Sequence, residues 1–159
     1  MTRDEFLMQL NNQRSAWEGL INSIPPGKMV EPCLAGGWSG KDIISHISWY
    51  EYQMVEMIQA REITGSEWWG LPLDERNRKI YEINQEKSFD EIFAESQVVF
   101  QELVAVIETL SDQDLSNSAR WKKWPPEWTS PWNPGKVIAS NCFEHYMDHL
   151  QDLESLKKN

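Results

Sequence analysis

Apolar residues recur along this chain at intervals of three and four positions, which is the spacing of one face of an α-helix. Three segments with this pattern begin at a hydroxyl residue that can cap a helix N-terminus, and they predict helices over residues 2–24, 39–61 and 88–110. Each cap has an acidic residue three positions later: Thr2 with Glu5, Ser39 with Asp42, and Ser88 with Glu91. A fourth long helix is predicted from Pro134, where proline takes the first helical position, through Leu156.

The connections between these helices set the predicted topology. Residues 64–73 are predicted to form a loop, followed by a shorter helix over residues 74–87 that Asp74 caps. No segment shows the alternation of apolar and polar residues that is typical of a strand. Four helices with one apolar face each can bury those faces only against one another. The sequence therefore predicts an all-α four-helix bundle, in one domain over residues 1–159, whose long second connection permits a crossover.

The segment between the last two long helices, WKKWPPEWTSPWNP at residues 121–134, has four tryptophans and four prolines. A loop of this length in a compact protein is usually functional or packed against the body of the fold. Two interpretations are compatible with each other: a structural cap on one end of the bundle, and an aromatic wall for a ligand.

Charge and composition restrict the classes of partner. The net charge is −10, from 15 basic and 25 acidic residues, which argues against a phosphate backbone or an anionic membrane surface as a partner. We therefore expect no nucleic acid and no membrane among the partners. The N-terminal segment MTRDEFLMQL lacks the apolar centre of a signal peptide, and Cys33 and Cys142 form no disulfide framework. These features predict a cytoplasmic protein.

The chain has only three histidines, and all three fall on the predicted inner faces of helices. His145 and His149 are one helical turn apart, so their side chains project from the same face. His46 lies on or beside the apolar stripe of the second helix. A buried histidine is often a hydrogen-bonded core residue, and the HxxxH spacing alone is a weak signal. Three inward imidazoles are costly to desolvate, however, and a bound metal ion would use their lone pairs, so both interpretations stay open.

Three segments of the chain resemble the DinB-like superfamily of four-helix-bundle proteins. GGWSGKDIISHISWYEYQMVEMI at residues 36–58 resembles the family segment in which a tryptophan and a capping serine precede an inward histidine. NCFEHYMDHL at residues 141–150 resembles the family's Asn-x-x-x-His-x-x-x-His signature on the final helix. Residues 74–115, with an Asn-x-x-x-Tyr element and the segment LSDQDL, are similar to the ClbS/DfsB branch.

The resemblance implies an up-down-down-up bundle in which three histidines bind a divalent metal ion, zinc or nickel. In this chain the implied metal ligands are His46, His145 and His149. Related members transfer low-molecular-weight thiols or isomerise a thiol adduct, whereas colibactin-resistance members act on a reactive electrophile without the full triad. Family bundles also pair, so a homodimer is compatible with the resemblance. Function varies across this fold, and the resemblance predicts the site better than the reaction.

Three nitrogen ligands leave one position open on a tetrahedral ion, as in catalytic zinc sites. That position can take a water molecule or a thiolate, and the ligand set does not distinguish zinc from nickel, copper or cobalt. The chain has no HExxH motif, which excludes a zincin-type protease. Cys142, three residues before His145, is an alternative fourth ligand that would close the site.

Several polar residues are placed by spacing near the predicted ligands. Asn141, one turn before His145, and Tyr50, one turn after His46, are the candidate catalytic residues, although Tyr50 also fits as a core residue. The other candidates are Asp42, Glu144 and Asp148, together with Asn77 and Tyr81 of the family's Asn-x-x-x-Tyr element.

These observations lead to a main hypothesis and two alternatives. The main one is a metal-dependent hydrolase or transferase that acts on a small electrophilic or thiol-bearing substrate. The second is a non-catalytic binding or protection protein of the ClbS/DfsB type, whose tryptophan-rich loops sequester a small molecule. Its motivation is the following set of tryptophans: Trp68, Trp69, Trp121, Trp124, Trp128 and Trp132. The third is an inert bundle with a vestigial site.

Overall fold

The computed structural model describes residues 1–63, 65–125, 128 and 132–157. In these residues the α-helices are α1 (Arg3–Asn22), α2 (Gly40–Ala60), α3 (Leu73–Asn84), α4 (Phe89–Glu108), α5 (Asp112–Ser116), α6 (Pro134–Asn141) and α7 (Phe143–Leu156). Short 3₁₀ turns lie in the connections. No described helix is both long enough and apolar enough to cross a membrane.

The predicted all-α four-helix bundle, up-down-down-up with a short helix in the second connection, is confirmed. Helix α2 packs against both α4 and α7, and α1 packs against the same two helices from the other side. One continuous apolar core joins all of these segments, with side chains such as Leu10, Met54, Leu103 and Leu153 fully buried. The short helix α3 packs onto α2, within the crossover connection.

The predicted N-terminal caps are present at the three long helices. Thr2, Ser39 and Ser88 each accept the backbone N–H three residues later, and the acidic residue at that position accepts the N–H of the cap. The prediction that Asp74 caps α3 was wrong, because Pro72 occupies the N-cap position and Asp74 lies inside the first turn. Its negative charge still lies near the positive end of the helix dipole.

The predicted single helix from Pro134 to Leu156 is broken at Cys142, where φ is −124° and ψ is −105°. The carbonyl of Val137 accepts hydrogen bonds from the side chains of Ser140 and Asn141. Side chains of this kind compete with the regular backbone pattern of a helix. The break turns the apolar face, so Phe143 and Tyr146 enter the core directly after it.

The connections contain structure that the periodicity did not predict. Helix α5 follows α4 after a capping box formed by Ser111 and Asp114. The segments after α2 and before the tryptophan-rich loop are paired by two backbone hydrogen bonds, Ile63 N–H to the Lys122 carbonyl and Lys122 N–H to the Arg61 carbonyl. Residues 126, 127 and 129–131 of the predicted loop lie outside the described residues.

Candidate functional site

The three histidines converge between α2 and α7. The ring centroid of His46 lies 4.8 Å from that of His145 and 5.3 Å from that of His149, and the last two centroids are 5.2 Å apart. One nitrogen of each ring lies within 4.8 Å of the others. The closest pair is Nε2 of His46 and Nε2 of His145, at 3.0 Å. Two segments about 100 residues apart therefore form one cluster, as the sequence predicted.

The environment keeps the imidazoles of His46 and His145 uncharged. His46 is buried, and burial together with the neighbouring histidines lowers its pKa to about 2. Burial and His149 lower the pKa of His145 to about 4. Since a neutral imidazole has a free lone pair, both side chains are in their metal-binding form at neutral pH.

The cluster fits a divalent ion better than it fits a closed hydrogen-bond network. The facing Nε2 atoms of His46 and His145 can share only one hydrogen, and the Nδ1 atom of each ring is buried without a partner among the described residues. A tetrahedral site with metal–nitrogen distances of about 2.0–2.1 Å separates its nitrogens by about 3.3–3.4 Å. The separations in the cluster, 3.0 to 4.8 Å, bracket that value.

An acidic residue that the sequence analysis missed contacts the third histidine. Nδ1 of His149 lies 3.2 Å from Oδ2 of Asp152, which leaves Nε2 of that ring as its free nitrogen. A carboxylate on the far nitrogen of a ligand histidine fixes the ring and its tautomer. The signal was the His-x-x-Asp spacing of one helical turn. By contrast, the candidate Glu144 forms an ion pair with Lys136, and Asp148 makes no described contact with the histidine rings.

Tyr50 forms one wall of the site. Its ring lies 5.0 Å from that of His46 and 5.1 Å from that of His145, and it is buried. Its hydroxyl donates to Oδ1 of Asn77 at 3.2 Å and accepts from Nη1 of Arg76 at 3.4 Å. The side chain is therefore both a core residue and a neighbour of the histidines, which unites the two interpretations of its position.

A pocket of about 390 Å³ lies beside this wall, between the loop before α2 and helix α3. Trp38 lines it and contacts the ring of His46 edge to face, at 5.3 Å between centroids. Asn77 lines it too and connects it to Tyr50 through the hydrogen bond above. The other lining residues are Gly36, Gly37, Asp74, Arg78 and Tyr81. Asn77 and Tyr81, predicted to reach the cavity, thus share one pocket next to the cluster.

The remaining candidate residues have structural contacts. The amide of Asn141 donates to the carbonyl of Val137 at the helix break. The carboxylate of Asp42 accepts hydrogen bonds from the backbone and the hydroxyl of Ser39, in the N-terminal cap of α2. Cys142 is not grouped with the histidines among the described residues, and burial followed by the charge of Glu51 raises the pKa of its thiol well above the usual value. Cys142 therefore does not act as the fourth ligand in this geometry.

The tryptophans divide into two sets. Trp68 and Trp69 pack on Trp49, and Trp69 also contacts Tyr50, so this set reaches the wall of the histidine site. In the other loop Trp121 is buried and donates its N–H to the carbonyl of Asp114. Farther along, the following residues form a chain of ring contacts whose last two members are partly exposed: Trp124, Trp128 and Trp132.

Three solved structures with the same fold are similar to this chain over 99% of its length. The colibactin self-resistance protein ClbS, in a complex with double-stranded DNA, has a TM-score of 0.79 and 22% identity, with 99% of this chain and 96% of that chain covered. DfsB, described as a sibling lethal factor precursor, has a TM-score of 0.82 and 13% identity, with coverages of 99% and 96%. An uncharacterised protein from Escherichia coli UTI89 has a TM-score of 0.78 and 22% identity, with coverages of 99% and 94%. Comparison with curated protein sequences finds no significant match.

The ClbS complex corrects one expectation. Because a protein of this fold has been crystallised with double-stranded DNA, the exclusion of nucleic acid as a partner was wrong. The physical reason is that a net charge of −10 is a sum over the whole chain, whereas a ligand responds to the local field and shape of one face.

The sequence profile of the DinB superfamily matches residues 9–153, which include all three histidines and most of each long helix of the bundle. The structural similarity to ClbS and DfsB extends over 99% of the chain and agrees with this match. The chain belongs to the DinB superfamily, with the bundle fold that ClbS and DfsB share.

Proposed function

We propose that this protein is a metal-dependent hydrolase or transferase that acts on a small electrophilic or thiol-bearing molecule. The observation that carries the proposal is the convergence of ring nitrogens from His46, His145 and His149 within 4.8 Å of one another, in a cluster that includes no acidic or thiol ligand from the described residues. A set of three imidazole ligands suits zinc, nickel, cobalt and copper, and zinc or nickel is our proposal.

A divalent ion held by this cluster would supply Lewis acidity, which makes a water molecule or a thiol acidic near neutral pH. The protein residues would orient the substrate around it. Tyr50, against the rings of His46 and His145, excludes water from one side of the site. Its hydroxyl, between Asn77 and Arg76, can donate to an anionic group of the substrate only by exchanging the partner that now accepts from it.

The neighbouring pocket supports a small-molecule substrate. Its volume of about 390 Å³ is within the range typical of small-molecule sites. It combines the indole of Trp38 with polar groups from the following residues: Asp74, Asn77, Arg78 and Tyr81. Such a lining suits a compact molecule with one planar or apolar part and one hydrogen-bonding part.

The first test is the metal content of untagged protein, measured by elemental analysis for the wild type and for His145→Ala. The matched control is Met147→Ala, on an exposed position of the same helix. We expect about one ion per chain in the wild type and the control, and a loss of the ion in His145→Ala. Equal metal content in all three proteins would remove the basis of the proposal.

A second candidate function, binding and protection without catalysis, is favoured by the aromatic lining around the site. Trp38, Trp49 and Trp69 surround His46 and Tyr50 through ring contacts. If this function is correct, a small electrophile should quench tryptophan fluorescence equally in metal-loaded and metal-stripped protein. Loss of all binding on chelation would favour the metal-dependent function instead. The cytoplasmic location, the single domain over residues 1–159 and the homodimer remain predictions.

A further inference from the structure

A second polar cluster lies inside the bundle, and the histidine site does not use it. Glu51 on α2 is fully buried, and its two carboxylate oxygens accept from the hydroxyl of Tyr146 on α7 and from Nη1 of Arg14 on α1, the latter at 3.3 Å. Arg14 also donates from Nη2 to Ser96 of α4 at 3.1 Å and from Nε to Glu18 at 2.7 Å. The cluster thus connects all four long segments of the bundle.

This cluster is not a ligand site. Each nitrogen of the Arg14 guanidinium has a protein partner, and the flat side of the group lies 4.7 Å from the ring centroid of Phe100. Arg14 is also buried, so its guanidinium is not open to an external molecule, and the role of the cluster must lie in the parts of the fold that it holds in place.

Glu51 and Tyr146 of this cluster lie on α2 and α7, the same two helices that carry the histidines. Glu51 follows His46 by five residues on α2, a rise of about 7.5 Å along the axis. Tyr146 directly follows His145 on α7, so the two side chains leave adjacent positions of one helix. Helices α2 and α7 therefore have polar contacts in two places, the histidine cluster and the pair of Glu51 with Tyr146. The second place adds a constraint on the orientation of α7, beside the packing of its buried residues Phe143 and Leu153.

Helix α7 needs such contacts because α6 does not continue into it. The non-helical backbone at Cys142 separates the two helices, and His145 is only the third residue after the break. Helix α6 therefore does not determine the position of the His145 ring, which depends on the contacts of α7 itself. The ring of Tyr146 stacks on Trp17 of α1 at 5.3 Å between centroids, with 14° between the planes, while its hydroxyl binds Glu51.

We propose that Tyr146 and Glu51 are positioning residues that hold the ring of His145 against His46. The stacked ring fixes where Tyr146 lies, and the hydroxyl fixes how α7 is turned about its axis. Arg14 holds Glu51 from the opposite side. The orientation of His145 is a property of the protein alone, and only its effect on metal affinity rests on the proposed function.

The test compares three variants. Tyr146→Phe keeps the stacked ring and removes the hydroxyl. Glu51→Gln keeps a group that can accept from Arg14 and donate to the oxygen of Tyr146. Ser96→Ala removes a buried hydrogen bond of the same cluster without touching α2 or α7, so it is the control for lost stability alone. Two readouts are used: ring ¹⁵N–¹H NMR correlations of the histidines in metal-free protein, and Co²⁺ binding followed by its visible absorption spectrum.

In metal-free protein we expect the ring signals of His145 to shift or broaden in Tyr146→Phe and to stay close to the wild type in the other two variants. For Co²⁺ we expect an affinity about tenfold or more weaker in Tyr146→Phe with a changed spectrum, and a nearly unchanged spectrum in the other variants. The proposal would be overturned if folded Tyr146→Phe kept the histidine NMR signals and the Co²⁺ absorption spectrum of the wild type. It would also be overturned if Ser96→Ala changed both readouts as much as Tyr146→Phe does. Absence of Co²⁺ binding by the wild type would contradict the proposed function alone, and the NMR comparison would still decide the positioning role.

Discussion

The buried carboxyl of Glu51 predicts an unusual dependence of stability on pH. Burial raises its pKa to about 7, against the opposing effects of Arg14 and of the hydrogen bond from Tyr146. Burial is the main cause of the direction, and the carboxylate of Glu18, which forms an ion pair with Arg14 at 2.7 Å, raises the pKa further. A proton on Glu51 keeps the cluster neutral.

The sign and size of the effect follow from linkage. With a folded pKa of about 7 and an ordinary value of 4.5, the folded chain holds a proton that the unfolded chain releases between these pH values. The contribution of Glu51 to stability is therefore full below pH 4.5 and is lost as the pH rises to about 7. The difference of about 2.5 pH units corresponds to about 3 kcal/mol, as an upper value.

The perturbation that isolates this effect is Glu51→Gln, because a glutamine amide has the shape and hydrogen-bonding pattern of a protonated carboxyl. Urea unfolding of both proteins is measured from about pH 5 to about pH 8, and contributions from other titrating groups cancel in the difference. We expect the variant to gain stability relative to the wild type as the pH rises, by up to about 3 kcal/mol. A variant that is less stable by a constant 3–5 kcal/mol or so at every pH would refute the reasoning, since that is the result for a permanently charged pair with Arg14.

Two further predictions concern the core and the site. Leu103→Ala on α4 removes a fully buried side chain and should cost about 2–5 kcal/mol of unfolding free energy in urea titrations, whereas Val98→Ala on the exposed face of the same helix should change it by less than about 0.5 kcal/mol. Asp152→Asn weakens the acceptor that holds His149 and should lower metal affinity about tenfold in a chelator competition. Asp148→Asn is the matched control, and equal affinities of these two variants would contradict a role for Asp152.

The helices and their starts could be predicted from sequence because both depend on neighbouring residues. The capping boxes at Ser39 and Ser88, for example, are contacts between residues three positions apart. The convergence of the histidines could also be predicted, because an apolar face has only the bundle interior to occupy. The break at Cys142 could not, since the segment keeps helical spacing on both sides and the change occurs in the backbone of one residue.

The break at Cys142 also changes which residues of α7 lie at the centre of its buried face. A continuous helix would place one face of residues 138–156 toward the core, with the histidines at its centre. In the structure Tyr146 and Leu153 occupy the buried centre, and the histidines lie at its edge toward α2. The side chain one turn beyond His149 then reaches its outer nitrogen. A pattern of apolar positions gives the face of a helix, but not the residue at which that face turns.

The position of α2 in the bundle explains both the burial of Glu51 and the lowered pKa of His46. A single apolar stripe predicts a helix that is half exposed, but α2 is enclosed by α3, α4 and α7, and it buries Glu51 and Gln53 as well as its apolar residues. Sequence spacing treats such polar residues as solvated, because their partners come from other helices. The same enclosure leaves His46 with little water, which lowers its pKa and keeps its lone pair free. The buried carboxyl of this central helix has Arg14 and Tyr146 as partners, whereas the buried imidazole faces His145 through Nε2 and has no partner for Nδ1 among the described residues.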